Sequence, residues 1–168
     1  MSRNHEEPGG SESLRRERRP AVTTASGTIR VETGGGVQFV DLTDRVGRWV
    51  RRTGIRRGWV NVQSTHTTAA ILLNENEPLL LEDLARTIEA IAPRQSDYRH
   101  DDFSVRTTNL TPDERRNGHS HCKAMLLKAS ETLNIVAGRL DLGRWQRLFL
   151  VELDGAQRRR VSVVALGA

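Results

Sequence analysis

The sequence predicts an α+β fold, namely a compact single domain with a mostly antiparallel sheet and a few helices. Several stretches alternate apolar and polar residues with the period of two that is typical of a half-buried strand. Two other stretches place apolar residues three and four positions apart, as on one face of a helix. Helices and strands do not alternate regularly along the chain, and this favours an antiparallel sheet over repeated βαβ units.

The first third of the chain begins with a polar segment. Residues 1–24 are rich in Glu, Arg, Ser and Gly, so we expect a disordered tail there, followed by a folded domain at residues 25–168. The stretch TIRVET is predicted to be a strand, residues 34–36 form a glycine turn, and VQFVDL is a second strand. Thr43 is expected to cap a helix that ends at Gly54.

The middle of the chain contains a predicted hairpin, a helix and a long loop. GWVNVQST is a predicted strand that leads into His66, and TAAILLNE is expected to be its hairpin partner. Pro78 starts a helix at the favoured first position, with Glu82 and Arg86 paired on its solvent side. The buried stripe of this helix is predicted to consist of Leu80, Leu81, Leu84, Ile88 and Ile91. Residues 93–117 are predicted to be a polar loop of functional importance.

The last third is predicted to be a short helix followed by strands. SHCKAMLLKAS is typical of a helix, and TLNIVAG, RWQRLFLVELD and RRRVSVVAL are typical of strands. Asp154 and Gly155 separate the last two, and this dipeptide predicts a two-residue hairpin turn.

Composition excludes several classes of protein. The 168 residues are 36% hydrophobic and 28% charged, and the longest apolar runs are far shorter than the roughly 18 residues of a membrane-spanning helix. No secretory signal is visible, and Cys122 is the single cysteine, so we expect a cytoplasmic protein without a membrane partner. We interpret Cys122 as a packing residue rather than a nucleophile.

The net charge of +5 does not by itself indicate nucleic-acid binding. Among 26 basic residues only Lys123 and Lys128 are lysines, and such an arginine excess is typical of a GC-rich genome. The basic clusters also lack interleaved aromatic residues that could stack on bases, so nucleic acid is not an expected partner. Lys123 stands out because a lysine among so many arginines could serve as a compact point charge.

Four of the five histidines lie between residues 66 and 121, each among small or polar residues. Imidazole is the commonest metal ligand, and we predict that His66, His100 and His121 bind a metal ion. His119 is only a possible further ligand, because it lies two residues from His121 and residues two apart on a helix point in different directions. Zinc is the metal that three histidines favour, and magnesium could bind together with a substrate.

Polar residues around the histidines predict an anion-binding and catalytic site. A helix that begins near Ser120 would offer free N–H groups to an anion, and Lys123 would add a positive charge. Asp101 follows His100 and could orient its ring, ligate a metal or act as a base, whereas Asn74 and Glu75 end a predicted strand near His66. We therefore predict Lys123, Asp101, Glu75 and Asn74 as catalytic residues and Ser120 and Lys123 as anion-binding residues.

Five stretches in order resemble one protein family: HTTAAILLNENEP, YRHDD, HSHCKAMLL, GRLDLGRWQRLFLVELDG and RRVSVVALG. They are similar to the YjbQ-type family, often labelled secondary thiamine-phosphate synthase, and the resemblance runs from about residue 28 to the C-terminus. It implies an α+β fold, a homotrimer, and a histidine-lined site for a metal ion and an anion.

The resemblance also implies site residues and a reaction. His66, His100 and His121 match the histidine pattern of the family, whereas some relatives have no histidine at the position of His119. Asn74, Glu75, Asp101 and Lys123 match its polar residues. The implied reaction joins hydroxymethylpyrimidine diphosphate to thiazole phosphate and releases pyrophosphate.

Two hypotheses follow from the sequence. The first is a metal-binding enzyme that acts on phosphorylated small molecules, with thiamine-phosphate synthesis as the named activity. The alternative is a non-catalytic module that binds a metal or an anion.

Overall fold

Two antiparallel sheets and three helices make up the computed structural model, which describes residues 21–168. One sheet has five strands, β1 (Thr23–Glu32), β3 (Arg57–Ser64), β5 (Ser130–Val136), β6 (Arg139–Leu140) and β8 (Arg158–Gly167), in the order β1-β8-β3-β5-β6. The other has three strands, β2 (Gln38–Asp41), β4 (Ala69–Glu75) and β7 (Gln146–Glu152), in the order β2-β7-β4. The helices are α1 (Thr43–Thr53), α2 (Pro78–Ile91) and α3 (Gly118–Met125), and Arg99–Asp101 form a 3₁₀ turn. The predicted α+β class is confirmed.

The three-stranded sheet is covered on both faces. Leu148 and Leu150 of β7 pack into the main core together with residues of the five-stranded sheet and of α1. Phe149 and Val151, which alternate with them, pack against Leu81 of α2 and other apolar side chains. Because both faces of β7 are buried, its sequence is a continuous apolar run rather than an alternation.

The five-stranded sheet has one buried face. In β8, Val161, Val163 and Ala165 are fully buried, whereas Arg160 before them and Val164 among them are exposed. This is the alternation that the sequence shows, and its period of two places every second side chain in the core.

Both predicted hairpins are wrong. β3 pairs with β5 and β8, whereas β4 pairs with β7 in the other sheet. β7 and β8 also belong to different sheets, so Asp154 and Gly155 join two layers rather than two neighbouring strands. The carboxylate of Glu152 stabilises this connection between the two sheets. It accepts the N–H groups of Leu153 (3.1 Å) and Asp154 (3.0 Å) and pairs with buried Arg159 on β8.

Helix α1 begins as the sequence predicts but is capped differently. The carboxylate of Asp41 accepts the N–H of Thr43 at 2.8 Å, and the hydroxyl of Thr43 accepts the N–H of Leu148 at 2.8 Å. The predicted capping by Thr43 is therefore wrong, since its side chain bonds to β7. The predicted end is confirmed, because Gly54 lies in the left-handed region with φ of 76°.

Helix α2 starts at Pro78, as expected, and the side chain of Glu77 caps it by accepting the N–H groups of Leu79 and Leu80. Ile88 of the predicted stripe is buried, but Ile91 is exposed. The predicted partner of Arg86 is also wrong, because Asp83 and not Glu82 forms its ion pair.

The predicted tail lies mostly outside the described residues, as does His5. β1 begins at Thr23, so the expected boundary at residue 24 falls inside a strand. No helix within residues 21–168 is long and apolar enough to cross a membrane.

Candidate functional site

His100 and His121 meet at a polar cavity. Their ring centroids are 4.6 Å apart, with the planes inclined by 61°. His100 belongs to the 3₁₀ turn and His121 to α3, and both line a cavity of about 450 Å³. The structure thus brings together two of the three histidines predicted as metal ligands, which lie 21 positions apart in the sequence.

The cavity also contains charged and polar side chains. Arg106, Arg115, Asn117 and Asp154 line it together with the two histidines. Arg106 is used by its own loop, because its guanidinium donates to His100 O (3.3 Å), Asn109 O (2.8 Å) and Glu114 Oε1 (3.1 Å). Arg115 is 44% exposed and lies 3.5 Å from the buried carboxylate of Asp154, so it can still contact an anion.

The imidazole of His121 is held in its neutral form. Burial lowers the pKa of His121, and the nearby His100 and Arg106 lower it further. A neutral imidazole keeps a nitrogen lone pair that can bind a metal ion or accept a proton.

His66 is not part of this cavity. It follows β3, and its Nε2 accepts the backbone N–H of Arg160 at 2.8 Å. Burial lowers the pKa of His66, and the positive charge of Arg159 acts in the same direction. One of its two ring nitrogens is therefore occupied by a backbone N–H of β8. The neighbouring residues Thr67 and Thr68, however, do line the cavity.

Lys123 lies on the opposite side of α3 from His121. It is 1% exposed and forms an ion pair with Glu89 of α2. Residues four apart share a helix face, so Lys123 lies with His119, whereas His121 points elsewhere. Hence the structure does not place Lys123 beside the histidine pair, where the sequence analysis expected it. Burial alone would raise the pKa of Glu89, but the hydrogen bonds from Lys123 and from the backbone N–H of Arg94, together with the positive charge of Lys123, outweigh this effect and the pKa is lowered.

His119 and Ser120 are buried inside the domain. The hydroxyl of Ser120 donates to Leu153 O at 2.8 Å, so its oxygen accepts from Nε2 of His119 at 3.1 Å. The bond from Ser120 to Leu153 links α3 to the residue that follows β7. Neither residue lines the cavity, so the structure favours neither the anion site at Ser120 nor a metal-binding role of His119.

Asp101 occupies the start of α3. Its Oδ1 accepts the backbone N–H groups of Asn117 (2.9 Å) and Gly118 (2.8 Å). The expectation that this helix start favours an anion is physically sound. The anion there, however, is a carboxylate of the protein itself, and it ties the segment of His100 to the helix of His121.

Asn74 and Glu75 lie at a separate place. They end β4 and line a second cavity with residues 143–146. Trp145 in this cavity is 60% exposed, and the guanidinium of Arg144 lies 4.6 Å from the centre of its ring. The two predicted catalytic residues are thus not gathered with the histidines within one chain.

The predicted set of metal ligands is only partly assembled. Within residues 21–168 no three side chains of the types His, Cys, Asp and Glu are grouped so as to hold a metal ion. Two of the predicted imidazoles do lie next to each other, and Nε2 of His100 is buried without a hydrogen-bond partner, as expected for a nitrogen that binds a ligand. Arg115, Asn117 and Asp154 were not predicted as site residues, because Arg115 and Asn117 gave no signal beyond an ordinary polar loop and Asp154 gave only a turn signal.

The geometry defines a class of protein, a small α+β domain with two sheets and a polar cavity centred on paired imidazoles. Residues 27–168 match the model of the family described as UPF0047 protein YjbQ-like. The chain therefore belongs to the YjbQ-like UPF0047 family.

Relatives and solved structures agree with this membership. A UPF0047 protein of Methanothermobacter thermautotrophicus is 36% identical over 139 residues, which are 83% of this chain and 90% of the relative. One from Archaeoglobus fulgidus is 37% identical, over 82% of this chain and 98% of the relative. The crystal structure of a YbjQ-like protein of unknown function from Sulfolobus solfataricus has a TM-score of 0.77 at 34% identity, covering 88% of this chain and 100% of that one. A hypothetical protein from Aeropyrum pernix has a TM-score of 0.76 at 33% identity, covering 86% and 99%.

Proposed function

We propose that this protein is a metal-dependent enzyme that acts on phosphorylated small molecules in the cavity of His100 and His121. The observation that carries the proposal is the pair of imidazoles 4.6 Å apart, one of which has a buried nitrogen without a partner. Two imidazoles suit zinc or a similar divalent transition ion, and magnesium could bind together with the substrate.

Arg115 supports the phosphate part of the proposal. Its guanidinium lies at the same cavity and is bound to Asp154 only at 3.5 Å. An arginine can contact two phosphate oxygens at once, so it can take the part that the sequence analysis gave to Lys123. A bound divalent ion would polarise the phosphate oxygens, and Arg115 would neutralise charge on a leaving pyrophosphate.

Thiamine-phosphate synthesis is the specific reaction that we propose, because the family resemblance implies it. In this reaction the thiazole nitrogen forms a bond to the methylene carbon of hydroxymethylpyrimidine diphosphate, and the bond from that carbon to the diphosphate oxygen breaks. We also propose a homotrimer, because the family resemblance implies one. A cytoplasmic location is proposed because a single free cysteine fits a reducing compartment.

Metal analysis of histidine variants tests this proposal. His100→Ala and His121→Ala should each lower the content and affinity of zinc or cobalt, and they should abolish turnover of the two thiamine precursors. His66→Ala is the matched control, because His66 does not line the cavity, and it should retain the metal.

The outcomes separate the two hypotheses. If the wild-type protein binds metal at His100 and His121 but forms no product from phosphorylated precursors, it is the non-catalytic binding module. If metal content is the same in all three variants and in the wild type, the histidine pair is not a metal site and the proposal fails.

A further inference from the structure

Asn117 precedes α3 at the capping position but does not cap the helix. Asparagine is favoured at this position because its side-chain oxygen accepts an N–H group of the first turn. The side chain of Asn117 makes no such bond. The carboxylate of Asp101 already holds the N–H groups of Asn117 and Gly118.

The side-chain oxygen of Asn117 is buried and has no partner. Among the side-chain atoms that the structure describes, only Oδ1 of Asn117 and Nε2 of His100 are in this condition. Both residues line the cavity that His121 also lines. A buried polar atom without a partner costs about 1–3 kcal/mol, so two such atoms in one cavity indicate a ligand that contacts both.

Hydrogen bonds hold the backbone of Asn117 in place. Its N–H is bound by Asp101, and its carbonyl accepts the N–H groups of Ser120 (2.9 Å) and His121 (3.3 Å). The residue is thus fixed at the junction between the segment of His100 and the helix of His121. A residue whose backbone is fixed in this way loses little backbone conformational entropy when it binds a ligand.

We infer that Oδ1 of Asn117 is the third protein ligand of a divalent transition metal ion, together with His100 and His121. An amide oxygen and two imidazole nitrogens are ligand types that such an ion accepts, and one ion would satisfy both unpartnered atoms. The inference rests on the proposed function and changes its ligand set, because Asn117 takes the place that the sequence analysis gave to His66.

Cobalt titration of three variants tests the inference. Asn117→Leu keeps the branch at Cγ without the oxygen, and it should weaken Co²⁺ binding at least about tenfold and change the visible absorption of the bound ion. Asn117→Asp keeps an oxygen ligand and should bind at least as tightly as the wild type. Asn109→Asp adds the same charge at the exposed rim of the cavity and should leave binding unchanged.

Thermal unfolding separates a ligand from a structural residue. Without metal, Asn117→Leu should unfold at the temperature of the wild type or above it, because a polar atom without a partner has been removed. A clear drop in this temperature would mean that Asn117 stabilises the fold, and it would overturn the inference.

Two outcomes of the titration distinguish this inference from the proposed function. If His100→Ala loses Co²⁺ while Asn117→Leu binds it as the wild type does, only the inference about Asn117 is overturned. If the wild-type protein itself binds no Co²⁺, the metal-dependent function and the inference both fail.

Discussion

Burial determines the charge of His119. Its ring lies under Tyr98, with the ring centroids 6.4 Å apart, and its Nε2 donates to Ser120. Burial lowers the pKa of His119, and the positive charges of Lys123 and Arg94 lower it further. Protonation would place a second cation beside buried Lys123, so the folded protein favours the neutral ring.

The lowered pKa of His119 predicts a loss of stability in mild acid. The unfolded chain binds a proton near the ordinary value of 6.5, whereas the folded chain binds it only at lower pH. The free energy of unfolding should therefore fall as the pH drops from about 6.5 to the lowered pKa. His66 and His121, whose pKa values are also lowered, act in the same direction.

Urea unfolding of metal-free protein between pH 8 and pH 5 measures this effect. His119→Gln keeps a donor for Ser120 but cannot be protonated, so its free energy of unfolding should fall less steeply with pH. The interpretation of His119 is wrong if the variant and the wild type show the same slope.

Helix α3 depends on a close approach to the 3₁₀ turn. Asp101 of the turn holds the first N–H groups of α3, and Tyr98 packs directly on Gly118. A Cβ atom at residue 118 would lie 2.5 Å from Cβ of Tyr98 and 3.2 Å from Oδ1 of Asp101. The absence of a side chain at Gly118 therefore permits the contact that brings His100 and His121 together.

Two glycine substitutions test this contact. Gly118→Ala should destabilise the protein by roughly 1–3 kcal/mol, because the new methyl group overlaps atoms of Tyr98. Gly47→Ala in α1 is the matched control, since a Cβ there meets nothing closer than 3.5 Å. Alanine has the higher helix propensity, so Gly47→Ala should be neutral or stabilise by up to about 1 kcal/mol. Equal effects of the two substitutions on urea unfolding would contradict the close approach.

At the scale of the whole molecule, strands were easier to predict than their partners. The period of two identifies β8 and β3 directly, because one face of their sheet is buried. Pairing depends on contacts between distant segments, and the hairpin signal of Asp154 and Gly155 was overridden by the buried pair of Glu152 and Arg159. Local signals therefore described the elements but not their order in the sheets.

In the candidate site, too, local features were predicted from the sequence but contacts between distant segments were not. His100 and His121 were predicted from their residue type and polar neighbours, and the structure brings them together. Lys123 was assigned to the wrong side of α3 because sequence neighbours were treated as spatial neighbours, whereas helix geometry separates residues two apart. Asn117 could not be found from sequence, because its unpartnered oxygen depends on Asp101, 16 positions earlier.

The five-stranded sheet has an exposed face whose central part carries no charge. Its outward side chains in four strands are Thr24, Ser26, Thr28, Trp59, Asn61, Gln63, Thr132, Asn134, Val136, Ser162, Val164 and Leu166. Charged residues make up 28% of the chain, so an open sheet face would ordinarily carry some. Charges occur only towards its ends, for example at Arg30, Arg57 and Arg160. An uncharged face suits burial against other copies of the same chain, since it brings no like charges together.

We expect the proposed trimer to assemble through this face, so a single charge placed there should disrupt it. The wild-type protein should sediment at three times the chain mass of 18.9 kDa. Val164 lies at the centre of the face, between Ser26 and Asn61, so Val164→Lys should shift the mass towards that of one chain. Val105→Lys is the control, because Val105 is exposed in a loop away from both sheets, and it should keep the mass of the wild type. A wild-type mass of 18.9 kDa at micromolar concentration, or an unchanged mass in Val164→Lys, would show that copies of the chain do not meet through this face.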